Sequence, residues 1–258
     1  MCLILFAYRA SPDRPLVVAA NRDEFYARPA LGARCWEDDP NIFGGRDLEA
    51  HGTWLAASQT GRFAAVTNFT DTDVAERPPG SRGDLPRYFL KGTMSAREYV
   101  DHLDGGNYQG FNLIAFDGAE LVYTSNRTGD VRVLAPGTYG LTNTRLGDEW
   151  PKATRGAAAL KPVADTATTD DLLTILRDDS VADEHTQRAS PARLRRAAPC
   201  FIKGEKYGTR ASTAVIFSNS EKTIEFVEQL YGPYGEPGER VARTLKLDAN
   251  RSNLFDLP

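Results

Sequence analysis

The 258-residue chain predicts an α+β architecture in which antiparallel sheets are covered by helices. Three observations carry that expectation. Short apolar runs occur in closely spaced pairs separated by turn residues. Amphipathic, cappable stretches fall between those pairs in two blocks. Strand signals then return near the end of the chain, so the order is strands, helices, strands, helices, strands.

Residues 2–8 and 16–20 are apolar, β-rich runs joined by Ser11-Pro12-Asp13-Arg14-Pro15, a hairpin signal. A second pair, 53–58 and 62–68, is joined by Gln59-Thr60-Gly61, where glycine can supply the positive φ of a tight turn. Residues 82–103 read as a helical region, with Ser95 and Glu98 at capping-box spacing. Runs at 111–116, 120–125, 131–134 and 138–142 form an antiparallel meander. Two or three helices fill 147–198, and Asp170 and Asp171 sit where they oppose the dipole of one of them. The last strands are 212–217 and 223–230.

No compositionally distinct linker or repeat divides the sequence, so residues 1–258 are expected to form a single domain. Its apolar runs are strand-sized, too short to span a bilayer, and the first charge, Arg9, follows the first apolar run where a signal peptide would place it before. Net charge of −4 argues against nucleic-acid binding. The basic cluster Arg193, Arg195 and Arg196 reads as a solvated helix face. Cys2, Cys35 and Cys200 are odd in number and widely spaced, which fits a reducing cytoplasm and offers no CxxC pair. His51, His102 and His185 lack ligand spacing, so neither a metal nor a cofactor is expected. The partner expected is a small-molecule ligand or substrate.

Cys2 carries the chemistry. A small residue behind the initiator allows Met1 to be removed, leaving a thiol and a free α-amine on one residue. An amine titrating near ~8 can take the thiol proton at neutral pH. Packing as a small apolar residue at the head of a strand is the alternative. Antiparallel pairing would bring the end of the second strand, Asn21-Arg22-Asp23-Glu24, back beside Cys2, where a carboxylate can orient the amine. The stretch Gly44-Gly45-Arg46-Asp47 reads either as a loop over the site, with Arg46 meeting an anionic substrate, or as a tight connection leading to a packed Trp54.

These residues carry a resemblance. The motif Asn21-Arg22-Asp23-Glu24 is similar to the one that names the NRDE family, also called transport and Golgi organisation 2-like. Further matching stretches are Met1-Cys2, Phe43 to Asp47, Gly52 to Ala56, Ala64 to Asn68, Leu141 to Thr144 and Tyr207 to Thr213, which together span nearly the whole chain. The family resembles the N-terminal-nucleophile hydrolases, in particular the choloylglycine hydrolase and penicillin V acylase group. The resemblance implies a four-layer αββα sandwich and a cysteine amidohydrolase in which Cys2 attacks an amide carbonyl. It implies that Asp23 holds the amine of Cys2, that Asn68 and Asn143 donate to an oxyanion and position the amine, and that Arg210 lies near the nucleophile. Asn21, Arg22, Glu24 and Arg46 are then the candidates for substrate binding. The leading arginine of those enzymes' Arg-Asn-x-Asp stretch is replaced here by Ala20. The other function the resemblance leaves open is a non-catalytic cytoplasmic carrier of haem or lipid. No haem motif accompanies it, since Pro199-Cys200 reverses the Cys-Pro order.

Overall fold

A computed structural model describes residues 2–70, 78–180 and 199–248. Met1, the Arg193, Arg195 and Arg196 cluster, and any helix between 181 and 198 lie outside the described residues. Two antiparallel sheets lie face to face, and helices cover both outer faces, giving the αββα sandwich.

The first hairpin pairs β1 (Leu3–Tyr8) with β2 (Leu16–Phe25). Together with β10 (Gly137–Leu141), β11 (Tyr207–Ser218), β12 (Thr223–Tyr231) and β13 (Pro237–Lys246) it builds a six-stranded sheet of order β10-β1-β2-β11-β12-β13. The second sheet is a seven-stranded meander: β3 (Ala30–Cys35), β4 (Ile42–Asp47), β5 (Leu55–Ser58), β6 (Phe63–Asn68), β7 (Phe111–Phe116), β8 (Leu121–Ser125) and β9 (Val131–Val133). As expected, Gly61 turns the second hairpin at φ 78°.

Side-chain alternation along each strand sends alternate residues to opposite faces, and this sorts the core into layers. Ile4, Phe6, Val18, Phe63, Ile114, Val215 and Phe226 pack between the sheets. Leu3, Leu5, Val17 and Ala214 face the other way, onto Leu160, Leu172 and Leu176 of α3 (Pro151–Leu160) and α4 (Thr169–Leu176). On the far side, Ala64, Val66 and Leu113 pack against Leu85, Phe89 and Val100 of α1 (Asp84–Lys91) and α2 (Ala96–Asp101).

The helical region expected over 82–103 is two helices. Gly92 ends α1 with extended backbone, and Ser95 starts α2 with both halves of the capping box formed. Strands β3, β4 and β13 have no counterpart in the sequence reading. The first two are rich in alanine, glycine and arginine, and β13 opens on Pro-Gly and is mostly exposed at a sheet edge, so none shows a β-branched apolar alternation. The meander expected over 111–142 loses its last member: β10 crosses to the other sheet and pairs with β1, Leu141 lying opposite Ile4. That crossing places residue 143 beside the start of the chain.

Candidate active site

The β1–β2 register sets Leu3 opposite Asn21, so Cys2 lies beside Arg22 and Asp23 at the open end of the six-stranded sheet. Asn68, at the end of β6 in the other sheet, and Asn143, after β10, reach the same place. The result is a cavity of about 810 Å³ whose wall includes Cys2, Arg22, Asp23, Glu24, Arg46, Asn68, Asn143 and Arg210. Of the candidate residues only Asn21 is not on that wall.

Cys2 is partly buried and free. Burial pushes its thiol above the ordinary value, and the Asp23 carboxylate adds to the rise. A hydrogen bond from the Asp23 backbone N–H and the charge of Arg22 act in the opposite direction. Cys2 is therefore held as a thiol, and it needs a proton acceptor to become a nucleophile.

Asp23 occupies the helix-facing side of β2. Its side chain is fully buried in an ion pair with Lys152 Nζ at 3.1 Å, and it accepts from the Thr209 hydroxyl at 2.7 Å. Tyr207 donates from its hydroxyl to the Asp23 carbonyl at 3.2 Å. Lys152 sits at the start of α3 behind Pro151, and its own side chain is 0% exposed. A cation in the first turn is opposed by the helix dipole. Its position is explained by Asp23, so α3 is docked onto the site by one buried charge pair. Sequence reasoning missed Lys152; a lysine directly behind the helix-starting proline was the available signal.

The two Thr-Asn dipeptides are clasped together. Thr67 Oγ1 donates to the Thr142 carbonyl at 2.9 Å, and Asn143 Nδ2 donates to the Asn68 carbonyl at 2.7 Å. Behind them the buried Asn112 donates to Thr67 Oγ1 at 3.1 Å and to the Thr144 carbonyl at 3.0 Å. Asn112 lies in the middle of an apolar run and gave no sequence signal. The clasp leaves the two asparagines with different groups available. The Asn143 amide is engaged by the Asn68 carbonyl, and its buried Oδ1 has no partner among the described residues. The Asn68 side chain is exposed on the cavity wall, and no hydrogen bond engages its amide among the described residues.

Arg210 is the extra residue of a β-bulge, since the β11–β2 register shifts between Thr209 and Ala211. Bulges re-aim side chains, and this one turns Arg210 across β2, where it donates to the carbonyls of Phe25 (3.3 Å) and Arg28. Burial, with a smaller contribution from Arg22, lowers its pKa.

The remaining candidates form the cavity's charged wall. Arg22 pairs with Asp47 at 3.3 Å, and Arg28 grips the same carboxylate with Nε at 2.7 Å and Nη2 at 3.2 Å. Glu24 lies 4.0 Å from Arg28. Arg46 belongs to strand β4, not to a loop; it pairs with Asp38 at 3.1 Å and stacks over the Trp36 ring at 4.4 Å. Trp54 packs against the inter-sheet core and also borders the cavity. Asn21 points to the helix layer. Its amide donates to the carbonyls of Leu176 (2.9 Å) and Cys200 (2.7 Å), and its Oδ1 accepts from Ser212 at 2.6 Å. It ties α4 and the 200 region to the sheet.

Among the described residues, no group of three or more His, Cys, Asp or Glu side chains is gathered as a metal site, and no helix is long and apolar enough to cross a membrane.

Two facing antiparallel sheets between helical layers, open at the end where β1 begins, define the N-terminal-nucleophile hydrolase fold. A solved variant of the conjugated bile acid hydrolase from Clostridium perfringens superposes with a TM-score of 0.50 at 12% identity, covering 98% of this chain and 94% of that one. An orthologue of N-acylethanolamine-hydrolysing acid amidase from Caenorhabditis elegans gives 0.48 at 12% identity over 83% and 92% of the two chains. The chain belongs to the family described as Transport and Golgi organisation 2, whose profile matches residues 1–233. It is 33% identical to the Transport and Golgi organization protein 2 homologues of Bos taurus and Homo sapiens, in each case over 89% of this chain and 92% of the relative.

Proposed function

We propose that this protein is a cysteine amidohydrolase acting on a small-molecule amide, with Cys2 as the nucleophile once Met1 has been removed. The observation that carries the reading is the convergence of Cys2, Asp23, Asn68, Asn143 and Arg210, on or beside five strands of two sheets, on one cavity of about 810 Å³. The charged wall of that cavity weighs against a purely apolar cargo. The three cysteines are unpaired, which supports a cytoplasmic setting.

In this mechanism the α-amine of Cys2 takes the thiol proton, and Sγ attacks the amide carbon. The exposed amide of Asn68 donates to the oxyanion that develops; one such donor is worth about 10²- to 10³-fold in rate. The unpartnered Oδ1 of Asn143 accepts from the α-ammonium and holds it toward the leaving nitrogen. That ammonium returns its proton to the departing amine as the C–N bond breaks. Water, activated by the same amine, then attacks the thioester, releasing the carboxylic acid and the Cys2 thiol. Asp23 donates its backbone N–H to the Cys2 thiol, whereas Arg210 donates to the carbonyls of Phe25 and Arg28. Asp23, fixed by Lys152 and Thr209, sets the field at Cys2, and Arg210 holds the end of β2 in place.

The test is intact mass of the purified protein, followed by brief exposure to iodoacetamide at neutral pH with peptide mapping. Loss of Met1 together with alkylation of Cys2 faster than of Cys35 and Cys200 is expected. Retained Met1, or a Cys2 no more reactive than those two, overturns the reading.

A further inference from the structure

Among the acids on the cavity wall that the mechanism above does not use, one is buried. Glu228, on β12, is only 3% exposed yet borders the cavity. Its Oε1 accepts from the Ala33 backbone N–H at 2.6 Å and its Oε2 from the Thr213 hydroxyl at 3.3 Å. Among the described residues it has no ion-pair partner. That sets it apart from its neighbours: Asp23 is paired with Lys152, and Asp47 is paired with Arg22 and Arg28.

A carboxylate has about four acceptor positions, and two of these are filled. Two residues without side chains face the oxygens. A Cβ on Gly32 would stand 3.4 Å from Oε1, and one on Gly45 3.9 Å from Oε2. The wall is therefore open at the carboxyl, where any other residue type would narrow it. Burial of an unpaired carboxylate is costly, and a cation brought against it offsets that cost.

The register fixes how far this group lies from Cys2. Leu3 pairs with Asn21, Asn21 with Ser212 and Ser212 with Gln229, so Cys2 shares a row with Leu230, and Glu228 lies one step further along the same face of β12. Three strand spacings across the sheet and two residues along β12 separate the two ends, roughly 16 Å. Between them Arg22 is charge-balanced by Asp47.

We propose that Glu228 is the recognition point for a cationic group, a protonated amine or quaternary ammonium, at the far end of the amide substrate, roughly 16 Å from the carbonyl that Cys2 attacks. The proposal rests on Cys2 as the reacting end and deepens that reading by naming the substrate class.

The test uses the full-length protein and two chloroacetamides of equal length, each spanning roughly 16 Å when extended. One ends in trimethylammonium and the other in its neutral tert-butyl isostere. In both, Cys2 Sγ displaces chloride and becomes S-alkylated. Each rate is divided by the iodoacetamide rate of the same protein. The cationic reagent is expected to label Cys2 about tenfold faster than the neutral one, and the preference is expected to fall toward one in Glu228→Gln, which keeps an acceptor for the Ala33 N–H. Glu228→Asp, withdrawn by one methylene, is expected to lose most of it. Equal wild-type rates for the two reagents, or a preference unchanged in both variants, overturn the proposal. Calorimetric binding of hexyltrimethylammonium, compared with its neutral analogue in wild type and Glu228→Gln, reports on Glu228 without any reaction at Cys2. A Cys2 inert to iodoacetamide alongside a Glu228-dependent calorimetric preference defeats the amidohydrolase reading and keeps the cation site. The reverse pair of results defeats the cation site alone.

Discussion

Replacing Lys152 by methionine removes one charge of the pair that docks α3 onto the candidate site and keeps a side chain of similar length. Both partners are fully buried, 3.1 Å apart, and Asp23 also accepts from the Thr209 hydroxyl. Breaking a buried pair from one side costs about 3–5 kcal/mol, because the remaining charge is stranded in a poorly polarisable interior. For a chain of this size 1 kcal/mol lowers the melting temperature by about 2–4 °C, so the expected drop is about 6–20 °C. Urea unfolding followed by far-ultraviolet circular dichroism gives the free energy directly. Asp23→Asn together with Lys152→Met removes both charges and is expected to cost at least about 2 kcal/mol less than the sum of the single changes. A single-variant loss under about 1 kcal/mol, the range of exposed pairs, or an additive double variant, refutes the view that this pair holds α3 to the sheet.

Asn21→Ala strands the Ser212 hydroxyl and the carbonyls of Leu176 and Cys200 in the core, and a loss of about 3 kcal/mol in the same unfolding assay is expected. Gly52→Ala would put a Cβ 2.4 Å from the backbone of Gly83, where the segment bordering the cavity crosses; a cost of about 1–3 kcal/mol by denaturant titration is expected, with both backbones forced to shift. Burial raises the Glu228 carboxyl above the ordinary glutamate value, so the folded protein holds that proton more tightly than the unfolded chain. Its contribution to stability is present at low pH and is lost as pH rises from the ordinary carboxylate value through the raised one. The difference in urea stability between Glu228→Gln and wild type is therefore expected to grow in favour of the glutamine variant across that window, and a difference independent of pH contradicts the assignment.

The readable part of the sequence and the part that was not readable differ in a physical way. Apolar alternation, the Gly61 turn and the Ser95–Glu98 capping box are local, and each formed as read because its energetics lie within a few residues. The first hairpin was enough to place Asp23 beside Cys2, since antiparallel register follows from strand and turn lengths alone. The ends of β6 and β10 were legible as polar strand termini, Thr67-Asn68 and Thr142-Asn143. Their different hydrogen bonding was not, because it depends on Asn143 bonding the Asn68 carbonyl across two sheets. Likewise Asn21 and Asp23 stand two residues apart on the same face of β2, and only their tertiary neighbours separate them. Leu176 and Cys200 claim one, and Lys152 the other.

The sequence by itself determined the layered α+β class, the cysteine behind Met1 and the polar ends of the strands that meet it. Periodicity, turn chemistry and residue type are written locally. Tertiary structure alone decided that β10 leaves the meander to pair with β1, that Lys152 neutralises Asp23, and that Glu228 stands buried on the cavity wall with no ion-pair partner among the described residues. Each of these rests on groups more than a hundred residues apart in the chain, or on which face of a strand is covered and by what. Neither is encoded in any short stretch of sequence.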